Sequence, residues 1–242
     1  MQLKSEASSA MATTGTKAKP QNEYGTYHVP EGLEGRPAAK AVLSGVPYEP
    51  DTLKFMRANA GDGDIIHAGM FFGDFLPALS TALAKNAQLW GFEPNPGNFE
   101  AAEKTAKMNK LKNANLFNAA LSNTSGQILF KTKDDKGKSL GGLSHFVQED
   151  GDGVEAVDAM MLDYVVPLDR KVSILQLDVE GHEKEAMKGA YHIINRWKPI
   201  LVLEYFGQLH WINRNFRGLG YERIGKLHGN HVYAVEGSGI SI

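Results

Sequence analysis

The stretch ILQLDVEGHEKEAMKGA, Ile174 to Ala190, decides how this chain is read. Its apolar run ends in Asp178, then Glu180, Gly181, His182 and Glu183 crowd together before an amphipathic segment begins. A short apolar run bounded by such a cluster predicts a buried strand whose polar tip leads into a helix, here from Glu183 to Trp197.

The same alternation recurs on both sides of this stretch. DIIHA (64–68) predicts a strand, followed by a glycine-bearing turn and a helix from Phe75 to Lys85. QLWGFE (88–93) is the next strand, stopped by Pro94 and Pro96, with Asn98 as the cap of a helix reaching about Asn109. NLFNAAL (115–121) predicts a third strand. Ser125 and Gly126 then turn the chain into QILFKT, ahead of a polar, glycine-rich loop from Lys133 to Gly153. PILVLEY predicts a strand, Leu209 to Leu219 a helix, and YERIG with HVYAV a closing hairpin that supplies an antiparallel edge strand. Strands alternating with helices imply right-handed crossovers and an α/β, mainly parallel sheet covered on both faces.

Composition narrows the function. The 242 residues, 42% hydrophobic, support one substantial core. The first 20 residues read as a mobile tail, residues 21–50 as an ordered arm with a short helix around Arg36 to Leu43, and residues 51–242 as the domain. A net charge of -2 without a basic face argues against nucleic acid as a partner. The absence of cysteine excludes disulfides and thiolate nucleophiles. No apolar run approaches the ~20 residues of a membrane span, so a cytoplasmic protein is expected. Oligomeric state is not written in the composition.

In an open parallel sheet, ligands sit beyond the carboxyl ends of the strands. Gly69 and Gly73 flank the turn after the first strand, but their spacing is not the G-x-G-x-x-G of a dinucleotide site. Glu93, after the second strand, stands where an acid grips two ribose hydroxyls. Asn118 and Ala119, ending the third, are placed to line an adenine. A ribose clamp without a phosphate loop points to S-adenosylmethionine. Asp178 is placed to face the cofactor's methyl end or an acceptor hydroxyl, and His182 is the natural general base, with Glu180 or Glu183 as the other chemical acid. The ordinary alternatives are solvated charges, turn glycines, helix-dipole acids and a surface histidine. Asp178, Glu180 and His182 suit a metal as residue types, but no second compact ligand group accompanies them, so no metal is assigned.

The segments HAGMFFGDF, GFEPNPGNFE, NAALSNTSG, LQLDVEGHE and KPILVLEY, in this order over roughly Asp51 to Ile224, resemble the FkbM-type methyltransferases. That resemblance implies a Rossmann-like class I fold with a seven-stranded sheet, S-adenosylmethionine as cofactor, and methyl transfer to oxygen on a small-molecule or carbohydrate acceptor. The family's first strand usually ends in an acid that helps organise the cofactor's methionine end, whereas this chain has His67; Asp74 is the candidate to supply the missing charge. Two further readings stay open: a noncatalytic S-adenosylmethionine-binding protein, and an N-methyltransferase of a small amine or peptide.

Overall fold

The computed structural model describes residues 20–242. The expected tail therefore lies outside the described residues except for Pro20. The arm carries a short antiparallel pair, β1 (Gln21–Asn22) with β2 (Gly25–Thr26), then α1 (Pro37–Leu43) and α2 (Pro50–Ala58), both helices opening on a proline that suits a first helical turn. Next come β3 (Asp64–Ala68), α3 (Leu76–Ser80), β4 (Leu89–Phe92), α4 (Pro96–Met108) and β5 (Ala114–Phe117). A second region follows: β6 (Ala120–Leu121), β7 (Gly126–Lys131), a 3-10 turn (Gly141–Leu143), β8 (His145–Phe146) and β9 (Val154–Met160). The chain returns through α5 (Leu162–Val165), β10 (Val172–Leu177), α6 (Glu183–Lys188), α7 (Tyr191–Trp197), β11 (Ile200–Glu204), α8 (Leu209–Asn215), β12 (Tyr221–Leu227) and β13 (Asn230–Val235).

Seven strands form the main sheet in the order β12-β13-β11-β10-β3-β4-β5. Its pairings are mixed: β11-β10-β3-β4-β5 run parallel, while β13 lies antiparallel to both β11 and β12. The antiparallel strand is thus not at the edge, as the closing hairpin led one to expect. β13 slots beside β11 and leaves β12 outermost, because β13 buries Val232, Tyr233 and Ala234 where β12 buries only Tyr221.

Successive residues of the central strands serve opposite cores. Ile66, Leu175 and Leu177 pack with Ala186, Met187, Ile193 and Ile194 of α6 and α7. Their neighbours Ile65 and Ile174 pack with Leu53 and Met56 of α2 and Leu76 and Leu79 of α3. This period of two is the consequence of the strand pleat. The arm forms a third cluster, in which Tyr27, Leu33, Ala39 and Val42 enclose Phe71 and Phe72 of the turn after β3.

Several expected elements change shape for identifiable reasons. The cap of α4 is Asn95, whose side chain accepts from the backbone of Gly97 and Asn98, rather than Asn98 itself. The long helix from Glu183 splits after Lys188. The buried carboxylate of Asp163 accepts from the backbone N–H groups of His192 and Ile193, at 2.8 and 3.0 Å, and so caps a new helix start. The third strand also divides: β5 ends at Phe117, and β6 joins β9 in a separate four-stranded sheet, β6-β9-β7-β8. The helix expected from Phe75 to Lys85 is confined to α3, and the loop expected from Lys133 to Gly153 contains the 3-10 turn and β8. No helix among the described residues is long and apolar enough to cross a membrane.

Candidate functional site

A cavity of about 200 Å³ opens beyond the carboxyl ends of the parallel strands. The turn after β3 contributes Gly69, Phe71 and Asp74; β4 and its exit contribute Phe92, Glu93 and Pro94; the chain leaving β5 contributes Ala119 and Leu121. On the other side stand Asp178, Val179 and Glu180 after β10, and Glu204 at the end of β11. Two further segments cover it: Arg36, Pro37, Tyr48 and Glu49 of the arm, and Gly141, Leu143, Ser144 and Phe146 of the second sheet's region.

Glu93 is held by its surroundings. One carboxylate oxygen accepts from the Phe71 N–H and the other from the Asn95 N–H, both at 2.9 Å, and Asn98 Nδ2 adds a longer contact. The Phe71 backbone has φ +49°, a left-handed conformation costly for a side-chain residue, and the bond to Glu93 with the arm cluster around its ring holds it there. Burial pushes the Glu93 carboxyl up to about 7 against the lowering effect of the two backbone donors. Lone pairs remain on both oxygens for further donors, such as the hydroxyls of a ribose.

Gly69 is required sterically: with φ +82°, a Cβ there would lie 1.8 Å from the Asp178 carbonyl oxygen. Gly73 does not line the cavity; its bare Cα lets Leu76 and Ala102 close in, so its role is packing. Asp74 lines the cavity, is buried, and is pushed by that burial up to about 7. Asn118 is likewise absent from the lining. Its amide donates to the Glu93 and Pro94 carbonyls, bracing the turn from behind, while Ala119 faces the cavity.

His67 lines the cavity at 3% exposure, paired through Nδ1 with the Gln176 side chain and stacked on Phe75 with ring centroids 5.4 Å apart. Burial lowers its pKa to about 4, so the imidazole is neutral at physiological pH.

At the strand tips the fold gathers Asp178, Glu180 and Glu204, with one carboxylate oxygen from each lying within 4.8 Å of the others. Asp178 is raised well above the usual carboxylate range by burial, by a hydrogen bond with Glu204 and by that neighbour's charge. Glu180 is raised to about 7 by loss of surrounding water and by the charge of Glu204. Asp178 and Glu180 offer oxygens of raised proton affinity, and the three carboxylates together set acidic groups beside the path of a cationic ligand.

His182, expected as the base, is elsewhere. It does not line the cavity: Nε2 meets the Ser122 hydroxyl at 3.0 Å and the ring stacks on Phe146, which does line it. The chain turns at Glu180 (φ +51°) and Gly181 (φ +92°), which sends alternate side chains of this tip in different directions. Asp178 and Glu180 are thus brought together with Glu204, not with His182.

Some lining residues carry little sequence signal. Arg36, Tyr48 and Glu49 come from a proline-rich arm, and Ser144 and Phe146 from a polar loop. Gln176 did leave a trace, as the one polar residue in the apolar run ILQL.

None of the curated proteins compared matches the chain. Among solved structures, it resembles the methyltransferase FkbM from Methylobacillus flagellatus KT at 14% identity and a TM-score of 0.51, over 72% of this chain and 43% of that one. The match thus takes in less than half of that longer chain. Looser likenesses are to a putative rRNA-methylase from Clostridium thermocellum (8% identity, 76% and 91% covered, TM-score 0.46) and a SAM dependent methyltransferase from Aquifex aeolicus (11%, 77% and 88%, 0.42). The model of the methyltransferase FkbM domain matches residues 59–223, a span that runs from just before β3 into β12 and includes Glu93, Asp178 and Glu204. With most of its length matched, the chain belongs to the methyltransferase FkbM domain family.

Proposed function

We propose that this chain is an S-adenosylmethionine-dependent methyltransferase of the Rossmann-like class I type, which methylates a hydroxyl oxygen of a small-molecule or carbohydrate acceptor. The observation that carries the reading is one cavity with the braced, buried Glu93 carboxylate on one wall and the Asp178–Glu180–Glu204 cluster on the other. Family membership supports it.

The residues present fit the cofactor. Glu93 would take the ribose hydroxyls, Phe92, Pro94, Ala119 and Leu121 would sandwich the adenine, and the acidic tip with Asp74 would favour the cationic sulfonium and amino-acid ends. When bound, S-adenosylmethionine supplies an activated methyl group on a good leaving group, so alignment and proton removal are left to the protein. Asp178 and Glu180 are the groups to orient an acceptor hydroxyl and receive its proton, on carboxylate oxygens whose proton affinities are raised above the usual carboxylate range. The arm (residues 21–50) and the 3-10 turn exclude water by covering the domain's strand ends.

Calorimetric titration with S-adenosylmethionine and S-adenosylhomocysteine, repeated on Glu93→Ala, tests the reading. Micromolar binding that is lost in the variant is expected; no binding of either by the wild type would sink it. Binding without turnover on any hydroxylated acceptor would favour a noncatalytic binding protein. The three carboxylates are the observation in favour of N-methylation of a small amine, so amines belong in the same acceptor screen.

A further inference from the structure

We infer that the groove outside the Glu180 and Glu204 edge of the cavity is an acceptor subsite for a neutral sugar ring, which lies on Tyr205 and turns one hydroxyl toward those two carboxylates. The inference rests on the cofactor reading above and names where its acceptor sits. The groove, of about 330 Å³, is lined by Glu180, Glu183, Lys184, Glu204, Tyr205 and Gln208, with Gly181 and Phe206 completing it. Glu180 and Glu204 line the covered cavity as well, so they form the wall shared by the two spaces. Glu180 is exposed, and a hydroxyl in the groove can reach it without passing beneath the arm.

Tyr205 is held in a conformation that its own packing does not explain. Its φ of +44° is left-handed and unfavourable for a residue with a side chain. Burial does not compensate: the residue is 76% exposed, and Lys226 meets its ring through a cation–π approach 5.9 Å from the centroid. The turn between β12 and β13 supports the ring. Tyr205 N–H donates to the Gly229 carbonyl at 3.1 Å, and a Cβ on Gly229 would lie 3.3 Å from Tyr205 Cζ and 3.5 Å from Glu204 Oε1. One bare turn thus seats the aromatic ring and the carboxylate side by side. The lining then selects the ligand class. An exposed aromatic face takes the C–H face of a sugar ring, while carboxylates and an amide take its hydroxyls. Lys184 beside the acids disfavours an ammonium, and three carboxylates disfavour an anion, whereas an uncharged polyol meets neither penalty.

The test is saturation-transfer NMR on the full chain loaded with S-adenosylhomocysteine, using a panel of methyl glycosides of neutral hexoses, deoxyhexoses and pentoses. At least one glycoside is expected to bind, with transfer strongest at the protons of one ring face. Tyr205→Ala should weaken that binding about tenfold, and Tyr205→Phe, which keeps the ring, should retain it, both with the affinity for S-adenosylhomocysteine unchanged. Tyr205→Gly relieves the left-handed backbone, so it should melt no lower than wild type yet lose the glycoside as Tyr205→Ala does. A merely structural tyrosine would not separate stability from sugar binding in this way. Absence of glycoside binding by the loaded wild type, or binding unaltered in Tyr205→Ala and Tyr205→Gly, overturns the inference and leaves the cofactor reading standing. Failure of the wild type to bind S-adenosylhomocysteine at all overturns both.

Discussion

Asp178, just past β10, and Glu204, ending β11, meet across neighbouring parallel strands with carboxylate oxygens within 4.8 Å of each other. Beside burial, the hydrogen bond with Glu204 and that neighbour's charge make Asp178 hold its proton more tightly, because ionising it sets like charges together. Glu204→Gln removes that neighbour's charge. The Asp178 carboxyl should then titrate at lower pH, read by carbon-13 NMR, and the acid limb of any pH–rate profile should move the same way. An unmoved midpoint would show that burial alone sets the Asp178 affinity.

Ligand affinity should depend on pH through Glu93. Its carboxyl is raised to about 7 in the free protein, and ribose hydroxyls donate best to the ionised form. Binding therefore releases a proton, and S-adenosylhomocysteine should bind about tenfold more weakly at pH 6 than at pH 8. Calorimetry in two buffers of different ionisation enthalpy reads the released proton directly; Glu93→Gln should abolish the release.

The contribution of Asp74 and Glu93 to stability should fall as pH rises. Asp74 and Glu93 have folded affinities near 7, above those of unfolded carboxyls at about 4. At these two groups the folded state holds protons that the unfolded chain has lost, and their contribution to stability declines from about pH 4 up through pH 7. Asp74→Asn takes one such group away, so its Tm at pH 8 should exceed wild type by roughly 2–6 °C, with little difference at pH 4. An equal change at both pH values would rule out proton linkage as the cause.

A different carboxylate should stabilise the fold. Asp64 is buried at the start of β3 and accepts from Trp90 Nε1, the Gln88 N–H and both Nε and Nη2 of Arg170, at 2.6–2.8 Å. Asp64→Ala leaves those donors unpaired and should cost about 3–5 kcal/mol, measured by urea unfolding. A loss below 1 kcal/mol would mean that water replaces the carboxylate.

His182→Ala separates packing from chemistry. It deletes the stack on Phe146 and the contact with Ser122, and should cost about 1–2 kcal/mol of stability. Turnover should stay within about threefold of wild type, far from the 10²–10⁴-fold that removal of a general base costs. A loss on that larger scale would return His182 to the chemistry.

By itself the sequence determined the alternation of strands and helices and the placement of Glu93, Asp178 and Glu180 at strand ends, because apolar periodicity and the stops at Pro94, Pro96 and Gly181 are local properties of the chain. Tertiary structure decided what stands beside those ends. That β13 lies inside the sheet depends on which strand buries more apolar surface, a comparison between elements distant in the chain. Asp163 capping α7 and Gln176 fixing His67 are likewise contacts across 29 and 109 residues, which leave no periodic signal. His182 shares the strand tip with Asp178 and Glu180, yet two successive positive φ angles, at Glu180 and Gly181, turn it away and Glu204 takes the place beside them. Spacing along a chain places a residue near a site; the backbone dihedrals between neighbours determine whether its side chain enters.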